Sequence, residues 1–446
     1  KLDERELAVY VNELFDKWLE AGAEAKKKWV LYAASIHGGS EIVERLKHQI
    51  NEWPQHARGA MAAEAVKALA LNSEPAALLT VDSIARKFKF KQVKAAAAAA
   101  LDFAAAQLGM TREELADKIV PDLGFNERME RIFDYGTRKF KVYLTQNLEL
   151  EIFDENDKKL KNLPAPGKKD DPEQAVKENQ AFKDMKKQMK TTVANQKLRL
   201  EQALSVERKW SKEGWNNLFV KNPVMHQFAI SLIWGVYEKG KLVQTFRYME
   251  DGTFNTEDEE EYTMPETCQI GLVHPIELSE ESRKTWEEQL EDYEVAQSVE
   301  QLKRTVYPLE PGEEKLRQLE RFGGCILNGL SLSGKLQSQG WYRGSVQDAG
   351  GYYTFYREDQ ELGLGVELHF SGLFVGDENE EITVYDARFY EAGKIKRGSY
   401  MYDEVKPEKA IPLKDVPARY FSEIVLQLAR ATASSQERNE NWREKR

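Results

Sequence analysis

Apolar positions recur at helical spacing through roughly the first 110 residues. Trp29, Tyr32, Ala33 and Ile36 share one face, as do Met61, Ala65 and Leu69. Ala-rich helices are expected from near Lys26, Gly59 and Lys94. A period of about 33–35 residues is that of helical-hairpin repeats, in which each unit buries its face only against its neighbours. The run Ala95–Ala100 suits close helix approach. The pattern therefore predicts an N-terminal α-solenoid of HEAT-like repeats over residues 1–121, with an irregular helical bundle as the alternative. Thr111-Arg112-Glu113-Glu114 is a capping-box pattern opening a short helix that Pro121 should close.

The period then changes to alternation. Phe140, Val142 and Leu144, a turn at Gln146-Asn147, then Leu148, Leu150 and Ile152 predict a β-hairpin. Residues 154–172 are charged and Pro-rich and read as an exposed linker, completing a hairpin-and-linker segment over 122–172. A long basic helix follows from Pro172 to about Trp210, and a second helical stretch from Ser211 into Trp234. Strands at Ile233–Tyr237 and Leu242–Tyr248 flank a turn at Lys239-Gly240. A helix near Ser279–Ala296 carries Trp286, Leu290 and Tyr293 on one face, closing a central region over 173–305. The C-terminal domain, 306–434, mixes both periods. Glu313–Arg321 reads as helix, Tyr352–Tyr356, Gly365–Phe370 and Ile382–Tyr390 as strands, and Pro417–Ala431 as an amphipathic helix. Residues 435–446 are polar and expected to fray. The fold class is α+β, with small antiparallel sheets after the helical repeats.

Composition narrows the function classes. The chain has 446 residues, with 64 Lys+Arg against 75 Asp+Glu and a net charge of −11. No apolar run approaches the ~18 residues that span a bilayer, so no membrane partner is expected. Cys268 and Cys325 are too few for a disulfide framework or a thiolate zinc site, and fit a reducing cytoplasm. The chain opens on Lys1 without Met, as a piece of a longer protein would. The negative charge is local: residues 250–300 hold 17 acidic groups and two basic ones, Arg283 and Lys284, whereas residues 175–210 hold nine basic and four acidic. The two segments are expected to screen each other. Nucleic-acid binding stays open through the basic helix but has no support from the net charge.

Candidate chemistry is sparse. Gly329-Leu-Ser-Leu-Ser-Gly334-Lys335 has P-loop spacing, but Leu336 replaces the Ser or Thr that would hold magnesium. His37, His48, His56, His226, His274 and His369 lack metal-helix spacing, so neither a metal nor a cofactor is expected. A Cys268–His274 nucleophile pair would need a base in reach and an oxyanion donor. Glu257–Glu261 fails the calcium-loop pattern and reads as a solvated turn. The most site-like stretch is Gly340-Trp341-Tyr342-Arg343-Gly344 with Asp348-Ala349-Gly350-Gly351. Trp341 and Arg343 beside glycines can form a stacking platform, near which Asp348, Glu367 and His369 could gather. The competing reading makes Trp341 an anchor between a turn and the core. No residue is assigned a catalytic role.

Several stretches together resemble one family. They are Met110-Thr-Arg-Glu-Glu-Leu through Val120-Pro-Asp-Leu-Gly124, Asp134-Tyr-Gly with Phe140-Lys-Val, and Leu163-Pro-Ala-Pro-Gly with Asp170-Asp-Pro172. Further along come Asn222-Pro-Val, Leu232-Ile-Trp-Gly-Val-Tyr237, Glu250-Asp-Gly-Thr253, Gly271-Leu-Val-His-Pro-Ile-Glu-Leu278, Gly340-Trp-Tyr-Arg-Gly344 and Tyr420-Phe-Ser-Glu423. Over residues 75–432 this order is similar to large bacterial proteins related to the molybdate metabolism regulator. The resemblance implies helical repeats and a shared C-terminal region, often behind a WGR domain that has no counterpart here. It carries over no catalytic residues. The reading that results is a cytoplasmic interaction or regulatory module with a protein partner, the C-terminal part of a larger bacterial protein. Its alternative is an enzyme or ligand-binding domain acting on a nucleotide or nucleic acid, centred on Trp341, Arg343, Asp348, Glu367 and His369. Oligomeric state is not legible.

Overall fold

Seven helices open the chain: α1 (Glu4–Glu20), α2 (Trp29–His37), α3 (Glu41–Glu52), α4 (Gly59–Leu69), α5 (Pro75–Lys87), α6 (Lys91–Gln107) and α7 (Arg112–Lys118). They belong to a computed structural model that describes residues 3–88, 90–395 and 404–444. The chain divides into two compact units, one built from residues 1–145, 150–192 and 213–226, the other from 146–149, 193–212 and 227–446.

In the first unit the helices share a core of Phe15, Trp18, Leu31, Leu46, Leu69, Val81 and Leu101. Buried Ala97, Ala100, Ala104 and Ala105 let α6 lie close against α4 and α5. The capping box of α7 forms as expected: the Glu114 N–H donates to Thr111 Oγ1, and the Thr111 N–H to Glu114 Oε2. An antiparallel sheet follows in the order β1 (Glu130–Asp134), β2 (Lys139–Leu144), β3 (Leu150–Phe153), β4 (Lys159–Leu160). The hairpin is where the alternation put it, but Leu148 leaves the strand for the turn, with φ +58°. Residues 154–172 are mostly exposed, but their end is tied down. Buried Asp170 accepts from Thr137 Oγ1, from Arg138 Nε and Nη2, and from the Gly167 N–H. These bonds, the Arg138 pair above all, hold its carboxyl well below the usual range.

The long helix α8 runs from Pro172 to Ser205. Up to Leu200 its buried positions, Ala175, Asn179, Phe182, Met185, Met189, Thr192, Gln196 and Leu200, form one stripe at three- and four-residue steps, and Ala203, Leu204 and Ser205 at its end are all buried. Lys177, Lys183, Lys186, Lys187, Lys190 and Lys197 stand on the exposed remainder. The helical stretch expected to reach Trp234 is instead broken into β5 (Lys209–Ser211), α9 (Lys212–Trp215), a π-turn at Asn216–Val220 and α10 (Pro223–Ala229). Asn222 restarts the helix, accepting from the Val224 and Met225 N–H groups.

The second unit holds two sheets. One has the order β5–β9–β6–β7–β8, with β6 (Ile233–Glu238), β7 (Lys241–Tyr248), β8 (Phe254–Asn255) and β9 (Gln269–Leu272). Lys239 and Gly240 both take positive φ, the turn a two-residue hairpin needs. Helix α11 (Glu280–Asp292) buries Trp286 and Leu290 with Ile233 and Val273, whereas Tyr293 stays exposed. The other sheet has the order β11–β12–β13–β14–β10–β15. Its strands are β10 (Cys325–Asn328), β11 (Tyr342–Arg343), β12 (Gly351–Asp359), β13 (Leu364–Phe374), β14 (Glu381–Glu391) and β15 (Glu437–Arg438). Helices α12 (Gly329–Ser338) and α13 (Ala418–Thr432) supply its core with Leu332, Leu336, Tyr420, Ile424 and Leu428.

Two expectations fail in this unit. Glu313–Arg321 is helical only as a short turn at Glu313–Lys315, because Leu319 is drawn into a bridge with Ala387. The polar tail does not fray over its described part: β15 pairs with β10, and buried Trp442 stacks on Tyr385 against Gly323 and Gly324. No helix among the described residues is long and apolar enough to cross a membrane.

Candidate functional site

Trp341, Arg343, Glu367 and His369 do not form one pocket. Trp341 is buried, its indole N–H donating to Gln427 Oε1 at 2.7 Å, so it anchors a turn to α13. Arg343 sits on the exposed edge strand β11, its guanidinium 5.1 Å from the Tyr352 ring centroid. The Asp348 side chain lies outside the described residues. Val366, Leu368 and Phe370 join the same core as Trp341, so Glu367 and His369 between them point to the opposite face of the sheet. There the two lie 2.9 Å apart, Glu367 accepts from the Val405 N–H, and Asp386 and Arg388 are buried beside them on β14. The alternation along β13 separates what proximity in sequence had grouped.

The other candidates also resolve. The P-loop-like Gly329–Lys335 segment is the first part of α12, capped by Asn328, so its backbone is helical rather than a phosphate cradle. Cys268 has no base in His274, because both imidazole nitrogens are engaged elsewhere.

That engagement is the centre of the most concentrated charge in the fold. The chain turns at Val273-His274-Pro275, and Nδ1 of His274 accepts the Ile276 N–H at 3.1 Å. Nε2 must then carry the proton, and it donates to Glu423 Oε1 at 2.9 Å, so the imidazole is neutral. Arg304 clasps the same carboxylate through Nε at 2.6 Å and Nη2 at 2.9 Å, and reaches Glu201 with Nη2. Ser205 donates to the second oxygen of Glu423 at 3.0 Å. Four separate stretches thus meet at Glu423: the end of α8, the loop after β9, the segment before Tyr307, and α13. One helical turn before Glu423, Arg419 donates to the Leu204 and Leu272 carbonyls and lies 3.5 Å from Glu277, which also accepts from Tyr237 Oη.

His274 and Glu423 are fully enclosed, and Arg304 is 2% exposed. Burial would raise the Glu423 pKa, but the His274 and Arg304 hydrogen bonds outweigh it and hold the carboxyl at about 2. Burial pushes His274 down, against a partial opposing effect of its bond to Glu423. A cluster so enclosed and neutralised offers no approach to a substrate. It can clamp elements together, and that is the chemistry it supports.

The accessible chemistry lies elsewhere in the same unit. An open groove of about 460 Å³ runs beside Leu242–Thr245 of β7, between the turn Thr256–Glu260 and the segment Glu277–Ser282 that opens α11. Its walls are mostly polar. Among the described residues no cluster of His, Cys, Asp and Glu is arranged to hold a metal ion.

The protein is mixed α+β, with an enclosed charged cluster and an open polar groove in its second unit. Residues 158–341 match a family model described as a domain of unknown function, DUF4132. The chain is similar to the uncharacterized protein YehI of Escherichia coli strain K12, with 33% identity over 341 residues. That alignment covers 76% of this chain and 28% of the relative, so the chain spans less than a third of that protein's length. No solved structure matches it.

Proposed function

We propose that the chain is a non-catalytic interaction module, working in the cytoplasm as part of a larger bacterial protein and engaging a protein partner. In this reading the N-terminal helices are HEAT-like repeats, and the kinship runs to relatives of the molybdate metabolism regulator, with their WGR domain outside these residues. The observation that carries the proposal is the contrast between Glu423 and the groove. The titratable side chains that converge on Glu423 are enclosed and mutually satisfied, whereas the groove offers a backbone edge and, among the described residues, carboxylates outside any ion pair.

Two measurements test it together. Immobilised chain should retain a saturable protein partner from a bacterial lysate, identified by quantitative mass spectrometry against a blank matrix. A thermal-shift screen of nucleotides, oxyanions and metal ions should leave the transition unmoved, whereas a specific ligand at 100 times its Kd would add about 2.7 kcal/mol. Failure to retain any partner, together with turnover of a screened nucleotide, overturns the reading.

A further inference from the structure

The groove beside β7 takes its shape from an incomplete sheet. β6 pairs with β7 along its whole length, but on the other side β8 pairs only with Arg247 and Tyr248. Among the described residues no strand covers the outer edge of Lys241–Phe246. Leu242, Val243, Gln244 and Thr245 carry no charge there, and Val243 is 51% exposed. Natural sheets blunt such edges with charges, Pro, short strands or a covering element. Here the devices are Lys241 at one end, a bulge at Val243 inside the run and the Gln244 side chain, which donates to the Thr245 carbonyl; among the described residues no charge, proline or covering strand stands over Leu242, Val243 and Gln244.

Charge on the facing wall says what would fit. Glu257, Asp258 and Glu260 line the groove, and among the described residues none of the three is in an ion pair. The only basic residues between 250 and 300 are committed to α11 itself, Arg283 to Glu287 and Lys284 to Glu288. An open strand edge offers main-chain hydrogen bonds to an extended segment, and alternate side chains of that segment would face the carboxylates.

On the proposed function we build one step: we infer that β7 is a docking edge for an extended, Lys- or Arg-rich peptide segment of the partner, which adds as a further strand. Nucleic acid is disfavoured, because the same carboxylates would repel its phosphates.

A displayed library of random twelve-residue peptides, selected on the full chain and followed by fluorescence anisotropy of the winners, tests this. Basic sequences should be enriched, and binding should weaken as salt rises. Binding should protect the amides of residues 241–245 from hydrogen exchange. The double variant Asp258→Lys/Glu260→Lys should bind at least tenfold more weakly with an unchanged melting temperature. Glu408→Lys/Glu440→Lys, with the same charge change at two exposed positions, should bind as the parent does. Peptides that bind without protecting 241–245, or equally well to the groove variant, overturn the docking edge and leave the interaction module standing. A protein partner retained by parent and groove variant alike does the same. No peptide and no partner at all brings down both.

Discussion

Glu423 shows how much one buried side chain can hold. Its two oxygens take hydrogen bonds from His274, Arg304 and Ser205, so neutralising it leaves Arg304 desolvated with only the partly exposed Glu201 for compensation. Breaking a buried pair from one side costs about 3–5 kcal/mol. Glu423→Gln should therefore lower stability in urea by several kcal/mol, whereas Lys284→Ala, which breaks an exposed helix pair, should change it by less than about 0.5 kcal/mol. Equal effects would show that the Glu423 cluster is not a clamp. Acid should act through the same residues. His274 has a folded-state pKa below its ordinary 6.5, so the unfolded chain takes up the proton first and stability falls as pH drops below that value. Glu423, held at about 2 rather than 4.5, adds a second loss as pH falls from about 4.5 toward 2. Unfolding free energies measured from pH 8 to 5 should decline less steeply in His274→Gln, which keeps a donor toward Glu423 but cannot titrate.

Elements were legible in the sequence where local signals were strong. The Thr111 capping box, the Lys239-Gly240 turn and the alternation in β12 to β14 each work over a few residues, and each forms as read. Elements decided by distant partners were not. Glu313–Arg321 has helical composition, yet Leu319 is recruited by Ala387 nearly seventy residues on. The ion cluster was hidden for a related reason. Arg419, Glu423 and Gln427 recur every fourth residue on α13, the signature of a solvated face, but the whole stripe is buried. Only a helix whose other faces were also too apolar for water could have given a hint, as Tyr420, Phe421, Ile424, Val425 and Leu428 do. The C-terminal tail makes this testable at the element scale. Trp442 fills the space over Gly323 and Gly324, where a Cβ on either glycine would collide with its ring or with the backbone of Asn439. Trp442→Ala should cost about 3–5 kcal/mol, the range for emptying a buried Trp site. Truncation after Ser435 should lower the melting temperature in calorimetry at least as much; an unchanged transition would mean the tail contributes nothing.

At the scale of the whole molecule, a net charge of −11 conceals two segments of opposite charge. Within the segment 250–300 Glu257 meets Ser282, Glu259 meets Tyr293 and α11 carries its two pairs, while Lys212, Arg419 and Arg430 reach in to Glu266, Glu277 and Glu300. The lysines of α8 present a row of positive charge that could attract phosphate without any sequence preference. Such attraction is counterion release, and it collapses as salt rises, each neutralised phosphate contributing close to one unit of slope in log affinity against log salt. For an interaction module, a 30-base-pair duplex should show no gel shift with micromolar chain at about 0.15 M salt, above which Debye screening acts within roughly 8 Å. A shift confined to about 0.02 M salt, and abolished in Lys183→Glu/Lys187→Glu/Lys190→Glu, would be the non-specific term alone. A shift that survives at 0.15 M salt and still depends on those lysines would put the function on α8 instead of the β7 edge. The two surfaces call for ligands of opposite charge, so this measurement and the peptide selection cannot both succeed through the same site.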